Sequence, residues 1–333
     1  MKTSIRCISA LLLTSIPLNA GPGSSNTYSV RDLERGAELP TPLRGTIKNN
    51  RANGAVTLGM RNLKETEKSA ALMAHLYRNG AQNNRPFYQV MLGDTLIDLD
   101  RDPAAYGILK AFQELPDNSP SSHGVAWMPT DIAGMKNYAL LLRAKILTRN
   151  GQEKEAMAML AKANPKSGYE YMWAGEACFM LGKDDDAIEA LTVACQRPGG
   201  HPENNWARKF IPMHATSLAA RMGRDDMARK WGAPIRRRGI NAEKWPQWKT
   251  TWSIVDKALA YGGQDRIDFR KLSSGSYDGA CRGFAGDISV KLRISGGTVT
   301  DVSIRRHSES RPYSALEIIP KRIVKHQSIR VDA

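Results

Sequence analysis

The chain has 333 residues, 41% of them hydrophobic and 24% charged, with a formal net charge of +15. That length and balance fit a soluble globular protein rather than a wholly disordered chain, with room for two domains and separate cores. Four cysteines without a C-x-x-C spacing exclude a c-type haem attachment and a local zinc knuckle.

Chain order begins with a leader pattern. Lys2 and Arg6 precede an apolar run from Ile8 to Ile16, and Leu18-Asn19-Ala20 ends it before Gly21. A basic start, a short apolar core and a small terminal residue predict a secretory signal peptide over 1–20, cleaved after Ala20. The run falls short of the roughly 20 residues that span a bilayer, and no other stretch is suited to cross one. Cys7 lies before the run, so it is not placed as a lipid anchor. The mature protein is expected to be exported to the periplasm or cell envelope. Cleavage removes Lys2 and Arg6 and lowers the charge to +13. Export excludes nucleic acid as partner. The basic residues scatter, apart from Arg236-Arg237-Arg238, as a solvated basic surface would have them rather than a polyanion site. An acidic-polysaccharide binder remains a minor alternative.

Residues 21–60 hold no sustained apolar period and predict an irregular tail. Helical periodicity starts near Glu65, and residues 61–260 form the expected helical domain. Ala70, Ala71, Met73, Ala74 and Tyr77 precede a stop at Asn79-Gly80. Val90 to Leu99 and Tyr106 to Leu115 continue it, punctuated by Pro103 and Pro116. A repeat then emerges. Ala144, Leu147, Gly151, Ala156, Leu160 and Ala163 match Gly175, Cys178, Gly182, Ala187, Leu191 and Ala194 at an offset of 31. Thr216, Ala219, Gly223 and Ala228 repeat the spacing 41 further on. Small residues let two helices approach, the glycine turns the chain, and the alanine opens the packed face of the second helix.

That spacing, over Tyr138 to Ile235, resembles tetratricopeptide repeats, helical hairpins that stack into a solenoid. The resemblance implies either a groove for a peptide or protein ligand or a spacer that positions the next domain. Asp184-Asp185-Asp186 opens a helix in this frame, where acidic side chains favour the helix dipole and cap free N–H groups; it is not expected to bind metal. His201, His214 and His326 have no partners at ligand spacing. Cys178 and Cys195 fall in one helical pair, either oxidised together or buried as thiols. Trp245, Trp248 and Trp252 share one helix face that Pro246 begins, expected to seal the core rather than stack sugars. Gly262-Gly263 and Ser273-Ser274-Gly275-Ser276 mark a linker, with a boundary near 270.

The last segment, 270–333, carries the strongest functional signal. Tyr277-Asp278-Gly279 opens it, with glycines at Gly283 and Gly286. Ile288, Val290, Leu292 and Ile294 alternate with Ser289, Lys291 and Arg293, which predicts a strand with one buried face. Gly296-Gly297 predicts a tight hairpin, and Val299, Val302 and Ile304 form the return strand. His307-Ser308-Glu309 follows, then a helix with Leu316, Ile319 and Ile323 on one side. Gln327-Ser328 and Val331-Asp332-Ala333 close the chain.

This order of features resembles the FMN-binding domain of bacterial extracytoplasmic flavoproteins, found in Rnf and sodium-pumping quinone reductase subunits. The resemblance implies FMN as cofactor, electron transfer as activity and a membrane-associated redox partner protein. It assigns cofactor-binding roles to Gly283, Gly286, His307, Glu309, Gln327, Ser328, Val331, Asp332 and Ala333. Arg305, Arg306 and Lys325 are candidates for the phosphate by sign. In that family Val-Asp-Ala leads into a Ser-Gly-Ala-Thr type motif whose threonine carries FMN through a phosphoester. The sequence reaches Ala333 without it. The sequence is then either a fragment, or its domain binds no flavin covalently and the chain is a repeat-based binding scaffold. Ser310-Arg311-Pro312 also departs from the family's Thr and Pro-Gly pattern. The expected architecture is a helical-hairpin (tetratricopeptide-like) solenoid followed by a small α+β domain with an antiparallel sheet.

Overall fold

The computed structural model describes residues 66–123, 128–197, 207–237, 268–282, 287–308 and 315–331. The leader, the tail, the tryptophan stripe and Gly262-Gly263 lie outside these residues. The described protein is mostly helical, with a three-stranded antiparallel sheet near the C-terminus. It divides into two compact units that part between Lys166 and Ser167.

The first unit holds α1 (Thr66–Asn79), α2 (Arg85–Asp98), α3 (Asp102–Phe112), α4 (Ile132–Arg149) and α5 (Glu153–Lys162). Pro103 stands in the first turn of α3, where its missing N–H costs no intrahelical bond. The second unit holds α6 (Gly168–Met180), α7 (Asp184–Gln196), α8 (Ala207–Arg221) and α9 (Asp225–Arg237), then the sheet and a last helix. Ser167 and Glu170 form a reciprocal capping box that starts α6.

Four helix pairs close with the same turn. Asp100, Gly151, Gly182 and Gly223 have φ of 55, 72, 72 and 74°, the left-handed region. The N–H of the next residue donates to the carbonyl five back: Arg101 to Leu96, Gln152 to Leu147, Lys183 to Cys178 and Arg224 to Ala219, at 2.8–2.9 Å. This six-to-one bond satisfies a carbonyl that the helix end would leave bare. Five residues beyond each turn residue stands an alanine, and Ala105, Ala156, Ala187 and Ala228 are all fully buried. Seven residues before it stands Gly93, Ala144, Gly175 or Thr216. A Cβ on Gly93 would lie 2.6 Å from Leu109 Cγ, and one on Gly175 2.7 Å from Leu191 Cγ. Small residues at this register are what let the paired helices approach. The α2–α3 hairpin is absent from the sequence-based repeat because Asp100 replaces the turn glycine. A short polar side chain tolerates that conformation better than most.

The sheet comprises β1 (Gly275–Arg282), β2 (Asp287–Ser295) and β3 (Thr298–His307), in that order. Ile288, Val290, Leu292 and Ile294 are buried while Asp287 and Arg293 are exposed, as the alternation requires. Gly296 and Gly297 have φ of 55 and 75°, so both central residues of the two-residue turn are left-handed. Helix α10 (Ala315–His326) buries Leu316, Ile319 and Ile323 and packs on β3. Pro320 lies inside α10 and Pro212 inside α8, each removing one intrahelical donor without ending the helix.

Candidate functional site in the sheet and its C-terminal segment

The residues expected to contact a cofactor divide into those the fold displays and those it uses. Gly283, Gly286, Glu309, Asp332 and Ala333 lie outside the described residues. His307 ends β3, opposite Ile288 in the ladder, and is exposed. Arg305 and Arg306 precede it, also exposed, and Lys325 is exposed in the last turn of α10. Ser308 N–H donates to the Asp287 carbonyl at 2.9 Å, which closes the strand pair beside the imidazole.

Gln327 does different work. It ends α10 with φ of 51°, a left-handed position held by a side chain rather than by glycine. Its Oε1 accepts from Val299 N–H at 2.8 Å, and its Nε2 donates to the Val299 and Val324 carbonyls at 2.9 and 2.6 Å. The amide thus pairs with the outer edge of β3 as a strand residue would, satisfying backbone groups at an exposed edge. Ser328 Oγ accepts from Arg330 N–H at 3.0 Å and tightens the following turn. Ile329 and Val331 are buried.

Between them, Arg330 reaches the α6–α7 turn. Arg330 Nη1 donates to the Phe179 carbonyl at 2.8 Å and to Asp184 Oδ1 at 2.7 Å, with Nη2 3.3 Å from Asp184 Oδ2. The Ile329 carbonyl accepts from Arg221 Nη2 at 3.0 Å. Both guanidinium groups lie over the Phe179 ring, 4.5 and 4.7 Å from its centroid. A charge-assisted fork of this kind is stronger than a neutral hydrogen bond and fixes orientation as well.

Sequence reasoning placed Asp184-Asp185-Asp186 at the start of a helix, and all three lie in the first turn of α7. The cap position is taken by Lys183, whose side chain makes no capping hydrogen bond. Asp184 instead holds Arg330, and Asp185 pairs with Arg224. Nothing local signals the Arg330 contact, because its partners lie about 150 positions away in the chain. Cys178 and Cys195 are free thiols. Burial pushes them up to about 11 and about 12, with the Asp186 charge adding to the effect at Cys178. No group of three or more metal-ligating side chains occurs among the described residues, and no described helix is long and apolar enough to cross a membrane.

For an FMN phosphate, the described residues fit by charge at the His307 end of β3, where Arg305 and Arg306 are exposed. Gln327 and Ser328 shape the segment instead, since their polar side-chain atoms already hold backbone groups. Comparison with family models, curated proteins and solved structures finds no match.

Proposed function

We propose that the chain is an exported FMN-binding electron-transfer protein whose tetratricopeptide-like hairpins dock a membrane-associated redox partner. The observation that carries this proposal is the order of residues from Tyr277-Asp278-Gly279 through His307-x-Glu309 to Val331-Asp332-Ala333. It is supported by their distribution over a hairpin sheet followed by one helix. The repeat assignment draws on four turns with one hydrogen-bond pattern and one small-residue register. Bound FMN supplies one- and two-electron transfer, and the protein supplies orientation, charge and exclusion of water. In this chain Arg305 and Arg306 would balance the phosphate, His307 would border the flavin, and Gln327 would hold the segment beyond α10 against β3.

A second reading is a repeat-based extracytoplasmic scaffold whose flavin domain is non-functional. It is favoured by one observation: Gln327 and Ser328 spend their polar atoms inside the fold. One experiment separates the two. The full natural reading frame is expressed with an FMN-transferring enzyme, and the exported protein's absorbance is recorded before and after denaturation. Flavin that stays on the denatured chain supports the electron-transfer protein. A colourless protein that also takes up no added FMN rejects it and leaves the scaffold.

A further inference from the structure

Arg330 sits in a socket that the chain builds twice. At the α6–α7 turn the socket consists of the carbonyl three residues before the left-handed Gly182 and the carboxylate two residues after it, Phe179 and Asp184. At the α2–α3 turn the same two positions around Asp100 are Ile97 and Asp102. Arg149 fills them, with Nη1 2.9 Å from the Ile97 carbonyl and Nη2 3.5 Å from Asp102 Oδ1. Arg149 comes from α4, a helix of the same helical unit. Arg330 comes from the segment that follows the sheet and α10.

We propose that Arg330 is a latch that makes the sheet module and helices α6–α8 open as one cooperative body. The segment Gln327–Val331 is gripped at both ends. Gln327 is bonded to β3 through Val299, and Arg330 is bonded to the α6–α7 turn. Between them the Ile329 carbonyl takes Arg221 of α8, and the flanking Ile329 and Val331 side chains are buried. The Arg330 and Asp184 side chains are 14% and 15% exposed, so solvent and salt screen the pair weakly. Local opening of either module must break a charge-assisted fork or pull a buried aliphatic pair into water. The latch thus joins two parts that a composition break near residue 270 would separate. The proposal does not rest on the flavin assignment.

Native-state hydrogen exchange on the full chain, resolved by peptide, tests it. Arg330→Ala should accelerate exchange in two places at once: β3 with α10, and the Phe179–Ala187 turn. The expected factor is about tenfold to a hundredfold, the range for losing a hydrogen-bonded charge. Asp184→Asn approaches the latch from the other side and should give the same two-sided pattern. Arg330→Lys keeps the charge but not the fork, so its acceleration should be smaller with the same distribution. It carries the test if Arg330→Ala does not fold. Acceleration confined to Gln327–Val331, or to only one of the two modules, would overturn the latch.

Discussion

The α2–α3 and α6–α7 turns have the same backbone but face different neighbours. Both end a helix with a left-handed residue, both bond six-to-one, and both present a carbonyl and a carboxylate to an arginine. At the first turn the arginine is Arg149, whose side chain is 2% exposed and also pairs with Asp100, the left-handed residue itself. At the second it is Arg330, whose turn residue is glycine and offers no charge. The difference teaches that local sequence sets the shape of a turn while the rest of the chain decides what the turn holds. A carboxylate at the first position of a second helix favours the helix dipole, and at these two turns it is also a docking point for an arginine.

The largest effect expected from this comparison is at the buried arginine. Arg149→Met should destabilise the first unit by about 3–5 kcal/mol, because it removes a buried guanidinium paired with both Asp100 and Asp102. Urea unfolding followed by a probe in α2–α4 measures it. Arg330→Met should cost less, since its guanidinium is 14% exposed against 2% for Arg149 and pairs with one carboxylate rather than two. Equal losses at the two sites would break the distinction between a buried socket and a peripheral one.

The sequence makes some of this legible and hides the rest for physical reasons. Hairpins at Gly151, Gly182 and Gly223 are visible because their turn glycine and buried alanine lie within five residues of each other. The α2–α3 hairpin escapes because Asp100 stands where glycine is sought, although Gly93, Ala105 and Leu109 keep the register. The strand alternation from Ile288 to Ile294 and the Gly296-Gly297 turn are local and are realised in the fold. The uses of Gln327 and Arg330 are not local. A glutamine that pairs with Val299 and an arginine that reaches Phe179 depend on contacts 28 and 151 positions apart. Of the residues that the sequence leads one to expect at a cofactor, His307, Gln327, Ser328 and Val331 lie within the described structure, and two of their side chains hold backbone.

Gln327 allows a sharper test at intermediate size. Its conformation is costly for a side chain, yet its amide makes three bonds. Gln327→Gly removes the bonds and relieves the backbone, whereas Gln327→Ala removes the bonds and keeps the left-handed penalty. The alanine variant should therefore be less stable than the glycine variant by about 1–2 kcal/mol, the cost of a left-handed residue with a Cβ. Gln327→Glu keeps an acceptor for the Val299 N–H but loses the donors to the Val299 and Val324 carbonyls, so it should fall below wild type. Thermal melts of the three variants decide the order. Glycine and alanine variants of equal stability would mean that the backbone strain at this position is not felt.

The smallest effect concerns the two thiols, Cys178 buried and Cys195 half-buried. Cys178 and Cys195 are held neutral in the folded state by burial, up to about 11 and about 12. In the unfolded chain a thiol loses its proton near 8.5. Below that value both states hold the proton and the thiols add no pH dependence. Between there and about 11 the unfolded state binds fewer protons than the folded one, so stability falls as pH rises. The folded protein should resist iodoacetamide at pH 8, because the thiolate is the nucleophile and burial suppresses it. Denaturant should release both thiols to the reagent. Replacing both residues with alanine should flatten the decline in unfolding midpoint between pH 9 and 11. An unchanged decline would place its source in other alkaline groups, first among them Tyr88 and Tyr169, which burial also pushes up to about 12. That outcome would assign the alkaline sensitivity to phenols in both units rather than to the α6–α7 pair alone.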